Sequence, residues 1–428
     1  MHRRARTLAL TVTLSGLAGA LVLAGPAMAS PVSPSGTGTT SPSASAAVSD
    51  ACEAVGGQNP DGTASCLAVE LDNSSGWRGH HVRGGGAATA TVPSGYGPTE
   101  LQEAYNLTAA SAGDGKGKTV AIVDAYDDPL ALSDLVTYRA EWGLPPVCSG
   151  WSSRNCVTFS KVNQWGGAWP LPAPDPGWAQ EISVDLDMVS ATCPNCDIRL
   201  VEASAATLPS LGAAEDTAAA AGPVSIGNSF GVSETRSETI EDRNFSHPGI
   251  AITAAAGDDG FGTQYPAASP DVIAVGGTSL STATGSSRGW SETAWSGDGS
   301  GCSTVESQPR WQTKVSAVRA TCSERAIADV AAVADPDTGV AVYDSFELPG
   351  WTVFGGTSVS AQIISALYAL GSGPVGAGNA SGLYGAAPGN FFDVTSGSDG
   401  SCGSDLCTAQ SGWDGPTGLG TPDGVAAF

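Results

Sequence analysis

Short apolar runs bounded by glycine or proline alternate along the chain with longer stretches whose apolar residues recur at helical spacing. Runs at 118–125, 197–202, 223–226, 250–255 and 271–275 read as strands. Stretches at 130–142, 178–190 and 208–221 fall between them and read as helices, as does 359–370. Strands that are apolar throughout and separated by helices belong to a sheet buried on both faces, since each crossover lays a helix against one face. The pattern predicts an α/β fold over 93–428, a mostly parallel β-sheet with helices on both faces. No internal repeat interrupts it.

Upstream the pattern fades. Residues 51–92 show little apolar periodicity, hold one cysteine pair and include a Gly-rich stretch at 80–88. They read as a short prosegment or arm, with order beginning near Val92-Pro93. Residues 30–47 are mostly Ser, Pro, Thr, Gly and Ala, the composition of a disordered linker. Arg3, Arg4 and Arg6 precede an apolar run, and Ala27-Met28-Ala29 supplies a small-residue cleavage site. The expected organisation is therefore a signal peptide at 1–29, a linker and disulfide-bearing prosegment at 30–92, and one domain at 93–428. The protein is expected to be secreted.

Charge narrows the partners. Asp and Glu number 42 against 18 Lys and Arg, a net charge of −24, and loss of the leader arginines makes it more negative still. Such a surface repels nucleic acid and anionic membranes. It also suits acid, where neutral carboxyls no longer repel one another. Past the leader, no run is apolar for long enough to span a bilayer. Ten cysteines in an exported chain predict disulfides, and the short spacings pair Cys52 with Cys66, Cys148 with Cys156, Cys193 with Cys196, Cys302 with Cys322 and Cys402 with Cys407. Cys193-Pro194-Asn195-Cys196 has no second CxxC to complete a zinc site, which favours a tight disulfide.

The candidate chemistry centres on Gly355-Gly356-Thr357-Ser358, a serine at the head of an apolar helix where backbone N–H groups can hold an oxyanion. A serine hydroxyl needs a base, and the four histidines (His2, His80, His81 and His247) lack the context of a catalytic one. Glu181 and Asp185 stand four residues apart, so both carboxyls project from one helix face, where two close carboxylates share a proton. The run 254–256 ends abruptly in Gly257-Asp258-Asp259-Gly260, at a strand end where parallel sheets form sites. A protonated Asp258 there has a hydrogen bond to donate. Asp393-Val394 and Gly412-Trp413-Asp414 put two carboxylates on tight acidic turns that suit a hard cation such as Ca²⁺.

Together these pieces resemble the sedolisin family, the serine-carboxyl peptidases, over roughly 93–428. The resemblance rests on Glu181-Ile-Ser-Val-Asp185, on Ala256-Gly257-Asp258-Asp259-Gly260, on Gly356-Thr357-Ser358, and on Tyr265-Pro266-Ala267 and Val275-Gly276-Gly277-Thr278 as framework. It implies a subtilisin-like fold and an acid-active secreted endopeptidase. Ser358 is then the nucleophile, Glu181 the general base, Asp185 its partner and Asp258 the oxyanion donor. It further implies a peptide-binding strand edge at Ser229, Phe230 and Gly231, and one structural Ca²⁺ held by Asp393, Val394, Gln410, Gly412 and Asp414. Protein or peptide substrates, a zymogen and a monomer complete the expectation. Gln362 stands where the family often has proline, a position read as helical scaffold. The alternatives are a catalytically silent, calcium-stabilised extracellular binding protein and an enzyme using His247 as base.

Overall fold

The computed structural model describes residues 48–52, 62–72, 76–79, 93–149, 155–373 and 378–428. The expected signal peptide, the linker at 30–47 and the stretch with His80 and His81 lie outside them. Three strands come first, β1 (Val48–Asp50), β2 (Ser65–Cys66) and β3 (Val69–Leu71), followed by helices α1 (Pro98–Ala104) and α2 (Thr108–Gly113). Strand and helix then alternate through β4 (Thr119–Ala125), α3 (Ala131–Glu141), β5 (Phe159–Asn163), α4 (Pro176–Thr192), β6 (Asp197–Ala203), α5 (Leu208–Ala220) and β7 (Ser225–Asn228). Next are β8 (Phe230–Ser233), β9 (Ala251–Ala255), β10 (Gln264–Tyr265), β11 (Ile273–Thr282), β12 (Trp290–Ala294) and β13 (Gly301–Ser307). The last labelled elements are α6 (Ser316–Thr321), β14 (Glu324–Ile327), β15 (Val330–Val333), β16 (Val340–Asp344), β17 (Gly350–Gly355) and α7 (Thr357–Leu370).

The central sheet runs β12-β11-β9-β7-β4-β6-β5, with β15 also on β11. Its pairings are parallel except that of β11 with β12. Alternation along β4 explains the layering. Val120 and Ile122 pack with Ile182, Leu186 and Val189 of α4 and with Leu370 of α7. Ala121 and Val123 point the other way, against Leu211, Ala214 and Ala218 of α5. Helices thus cover both faces, as the pattern predicts. The expected strand at 271–275 continues to Thr282, because its Ser/Thr-rich second half pairs with β12.

All five cysteine pairs close as their spacings predict. Order does not begin near Val92, however. β2 pairs antiparallel with β8, and β3 lies between β1 and β17. Leu67, Val69 and Leu71 are buried, so β2, β3 and the residues that join them are woven into the body by backbone pairing and apolar burial.

Candidate active site

Two helices aim the chemistry. Asp175 caps α4, its carboxylate accepting the Trp178 N–H at 3.1 Å ahead of Pro176 at the first helical position. One face of α4 then carries Glu181 and Asp185, both fully buried. α7 begins after Gly356, whose φ of +94° suits glycine. A Cβ there would stand 2.0 Å from the Leu67 carbonyl oxygen and 2.7 Å from Asp258 Oδ2. The missing side chain is what lets these groups converge beside Ser358.

Asp258 follows β9 in the turn opened by Gly257. Its Oδ1 accepts the Thr357 N–H at 2.8 Å and the Thr357 hydroxyl at 2.7 Å, while the Gly257 N–H donates to Thr357 Oγ1 at 3.1 Å. Asp258 Oδ2 is buried and has no hydrogen-bond partner. Burial pushes the Asp258 carboxyl up to about 8, against the lowering effect of the Thr357 donors. It is held neutral in acid, with an O–H to offer.

Asp185 is held from two sides. Ser229 donates its hydroxyl to Oδ1 at 2.8 Å, and the Gln362 amide donates to Oδ2 at 2.5 Å and to Ser229 Oγ at 3.0 Å. Room for that amide comes from Gly227, where a Cβ would meet Gln362 Oε1 at 2.1 Å. Gln362 is therefore more than scaffold: it reaches the carboxyl pair. Nothing in its local sequence marks it, since it sits among apolar neighbours of α7.

A third carboxyl, Asp124, joins the pair. It follows Val120 and Ile122 in parity on β4, the face that α4 covers. Burial raises it to about 8, and neither of its oxygens has a hydrogen-bond partner. Burial and then Asp124 push both Glu181 and Asp185 well above the carboxylate range, and Glu181 adds to the rise at Asp185. Three carboxyls in one buried volume cannot all ionise, so the cluster holds protons and titrates as a unit. The strand-end position and its parity were the only sequence signals for Asp124.

Glu181 Oε2 accepts the Leu67 N–H at 2.8 Å, while Glu181 Oε1 and Ser358 Oγ are both buried and without hydrogen-bond partners. The Ser358 hydroxyl is near enough to favour the Glu181 carboxylate, but the hydrogen bond itself is not formed in this state. Catalytic hydrogen bonds are commonly this loose before a transition state develops.

The expected peptide-binding edge, Ser229, Phe230 and Gly231, is buried. Ser65 lies opposite Gly231 and Cys66 opposite Phe230, and the Leu67 N–H reaches the Ser229 carbonyl at 3.2 Å. His247 lies elsewhere, with Nε2 2.9 Å from the Asn244 carbonyl and 3.4 Å from an Asp216 oxygen. None of its partners belongs to the cluster, which removes it as a base for Ser358.

Of the expected cation donors, Asp393 is hydrogen-bonded to the loop that carries Gln410, Gly412 and Asp414. Asp393 accepts the Gly412 N–H at 3.1 Å and the Ser411 hydroxyl at 2.9 Å, and Asp414 accepts the Gln410 N–H at 2.9 Å and that of Thr417 at 3.0 Å. Burial, with a smaller push from Asp393, raises Asp414 to about 7. Among the described residues, no group of three or more His, Cys, Asp and Glu is placed to hold a metal ion. The set of two carboxylates plus the carbonyls of Val394, Gln410 and Gly412 is all hard oxygen, which fits Ca²⁺ chemistry.

No family model matches the chain. It is 32% identical to kumamolisin of Bacillus sp. (strain MN-32) over 376 residues, covering 78% of this chain and 63% of that protein. Sedolisin of Pseudomonas sp. (strain 101) is 28% identical over 377 residues, covering 78% and 61%. A shorter match, 40% over 107 residues, covers 23% of this chain and 15% of tripeptidyl-peptidase sed1 of Aspergillus fumigatus. The chain thus spans about three-fifths of the length of the first two relatives. Among solved structures, Pseudomonas sedolisin, a serine-carboxyl proteinase complexed with two molecules of pseudo-iodotyrostatin, superposes with a TM-score of 0.63. That match has 25% identity and covers 78% of this chain and 96% of that one.

Proposed function

The chain is homologous to kumamolisin and sedolisin over most of its length, on a subtilisin-like fold, and from that premise we propose that it is a secreted serine-carboxyl endopeptidase. One observation carries the reading: Ser358, Glu181 and Asp258 gather around one buried residue, Leu67, whose N–H donates to Glu181 and whose carbonyl accepts the Ser358 N–H and lies with Asp258 Oδ2 on the open side of Gly356. Ser358 Oγ attacks the scissile carbonyl carbon. Glu181 takes the hydroxyl proton and passes it to the leaving nitrogen, with Asp185 holding Glu181 in place. The Asp258 O–H and the Ser358 N–H stabilise the tetrahedral oxyanion.

The buried cluster explains how one member serves as base. Asp124 and Asp185 keep their protons, and the single negative charge settles on Glu181, where the Leu67 N–H and the Ser358 hydroxyl favour it. A substrate N–H takes the place of the Leu67 N–H in turnover. Endopeptidase action, as against release of tripeptides, is supported by the chain that lies in the cleft. A tripeptide ending in Leu67 would begin at Ser65, but the chain continues through Ala64, whose N–H donates to the Ala206 carbonyl at 2.6 Å. Ca²⁺ would be held by Asp393, Asp414 and the carbonyls of Val394, Gln410 and Gly412, where it would neutralise the two carboxylates and tie the late loop together. Five disulfides fit an oxidising, extracellular destination, and no helix among the described residues is long and apolar enough to cross a membrane.

Hydrolysis of a denatured protein substrate, followed from acid to mildly alkaline pH in wild type and Ser358→Ala, tests this. The expected outcome is acid activity that the substitution abolishes. Activity that survives in Ser358→Ala, or that appears only above neutrality, sinks the mechanism.

A further inference from the structure

Two tryptophans stand in water on the loop that follows β5. Trp165 is 71% exposed and Trp169 85%, the highest values for large apolar side chains among the described residues. A single exposed apolar residue is ordinary, but a pair four apart on a braced loop is not. The brace is Asn163, the last residue of β5 and itself buried. Its Oδ1 accepts the Trp165 N–H at 3.0 Å and the Gly167 N–H at 2.9 Å, and its Nδ2 donates to the Pro170 carbonyl at 2.8 Å. The Asn163 N–H donates to the Gly167 carbonyl at 2.9 Å as well. A loop tied in this way keeps its indoles outward instead of folding them onto the body. Residues 164–174 carry no charge, in a chain whose net charge is −24.

Both feet of the loop stand where the cleft ends. In the cleft, the Leu67 carbonyl meets the Ser358 N–H, Ser65 lies opposite Gly231, and the Ala64 N–H reaches the Ala206 carbonyl at 2.6 Å. Falling residue numbers thus trace the acyl side of a bound peptide from the nucleophile toward Ala206. Two residues before Ala206, the Ser204 N–H donates to Gln164 Oε1 at 2.6 Å, at the start of the loop. At the other foot, the Asp127 N–H donates to the Ala173 carbonyl at 3.1 Å and the Asp175 N–H to the Asp127 carbonyl at 3.3 Å. Ala206 and Asp175, each beside one foot, line a single cavity of about 470 Å³ together with Ala64, Tyr126 and Trp178. The Tyr126 and Trp178 rings meet there edge to face, 6.4 Å between centroids.

Resting on the peptidase reading, we propose that Trp165 and Trp169 form an exosite for an extended apolar segment of the protein substrate, N-terminal to the residues that fill the cleft. Continuity selects the occupant: a peptide running past Ala206 is delivered to the cavity between the cleft and the loop, and from there to the indoles. Chemistry selects its side chains, since the loop offers flat apolar faces and no ion-pair partner. The brace from Asn163 orders the loop before anything docks, so binding spends little of the enzyme's own freedom.

The test compares three quenched-fluorescent peptides in acid, with the full chain and its Trp165→Ala/Trp169→Ala variant. All three share the residues around the scissile bond. Two of them add about eight residues at the amino end, roughly 27 Å of extended chain, made either of Pro, Leu and Phe or of Gly and Ser. In wild type the apolar extension is expected to lower KM about tenfold relative to the Gly/Ser extension, the effect of one aromatic anchor. The double variant should lose that advantage while hydrolysing the short peptide with unchanged kcat and KM, and Trp165→Tyr/Trp169→Tyr should keep most of it. Equal KM values for the two extensions in wild type overturn the proposal, as does a double variant that fails alike on all three peptides. Co-sedimentation with cellulose powder or phosphatidylcholine vesicles that depends on the indoles, with the peptide KM values unmoved, also overturns it and assigns the pair to a glycan or a lipid surface. No hydrolysis of the short peptide by wild type removes the peptidase reading, and the exosite with it.

Discussion

Asp258 has opposite duties on its two oxygens. Oδ1 only accepts, from the Thr357 N–H and hydroxyl, whereas Oδ2 is free to donate once protonated. An asparagine in its place keeps both functions, with its carbonyl toward Thr357 and its amide toward the oxyanion. Asp258→Asn is therefore expected to retain measurable turnover and to lose the alkaline limb of the kcat profile. Asp258→Ala, which removes the donor, should cost about 10²–10³-fold in kcat. The wild-type limb carries its own information. Asp258 stands at about 8 with a peptide filling the cleft, so its proton survives neutrality in the occupied enzyme. The alkaline limb of kcat should then lie above that of kcat/KM, because the open, wetter cleft of the free enzyme relieves the burial that raises Asp258. Coincident limbs in a steady-state pH series would contradict this assignment.

At the scale of elements, α4 and α7 face each other through Gln362. The one-turn spacing made Glu181 and Asp185 legible, and the glycine-led helix start made Ser358 legible. Gln362 was not, because its role depends on the approach of a second helix and on the gap left by Gly227 in β7. Removing its amide takes one donor from Asp185 Oδ2, which disfavours the ionised form and raises that carboxyl further. Gln362→Leu is expected to lower kcat about fivefold, the worth of roughly 1 kcal/mol for one hydrogen bond that positions the neutral Asp185, with KM little changed. A change confined to melting temperature would mean that the amide only packs.

The whole molecule buries many carboxyls in neutral form. Asp124 and Asp258 stand at about 8, and Asp128 and Asp344 at about 7, each raised first by burial from an ordinary 3.8. Between roughly pH 4 and pH 8 the folded chain therefore binds more protons than the unfolded one, and stability falls as pH rises. The net charge of −24 acts in the same direction through self-repulsion. Calorimetry on Ser358→Ala, which avoids self-digestion, should give its highest melting temperature in acid and a steady decline from about pH 4 to about pH 8. A chelator should lower the melting temperature further, since removal of Ca²⁺ would leave the Asp393 and Asp414 carboxyls without a cation. A profile rising from acid to alkali would refute the picture of neutral buried carboxyls.

The sheet and its covering helices were readable because apolar runs at two periods leave few ways to bury them. The segment through the cleft was not. Leu67, Val69 and Leu71 do alternate with Ala68 and Glu70, but so short a run is lost beside a glycine-rich neighbour, and its partners lie far off in β8 and β17.

The five disulfides span only 14, 8, 3, 20 and 5 residues, whereas the sheet must bring strands such as β4 and β7 together across the chain. Closing so short a ring takes little from the chain's freedom. Each pair can therefore close within its own stretch of chain, before distant strands have met, so that correct pairing does not require a finished sheet.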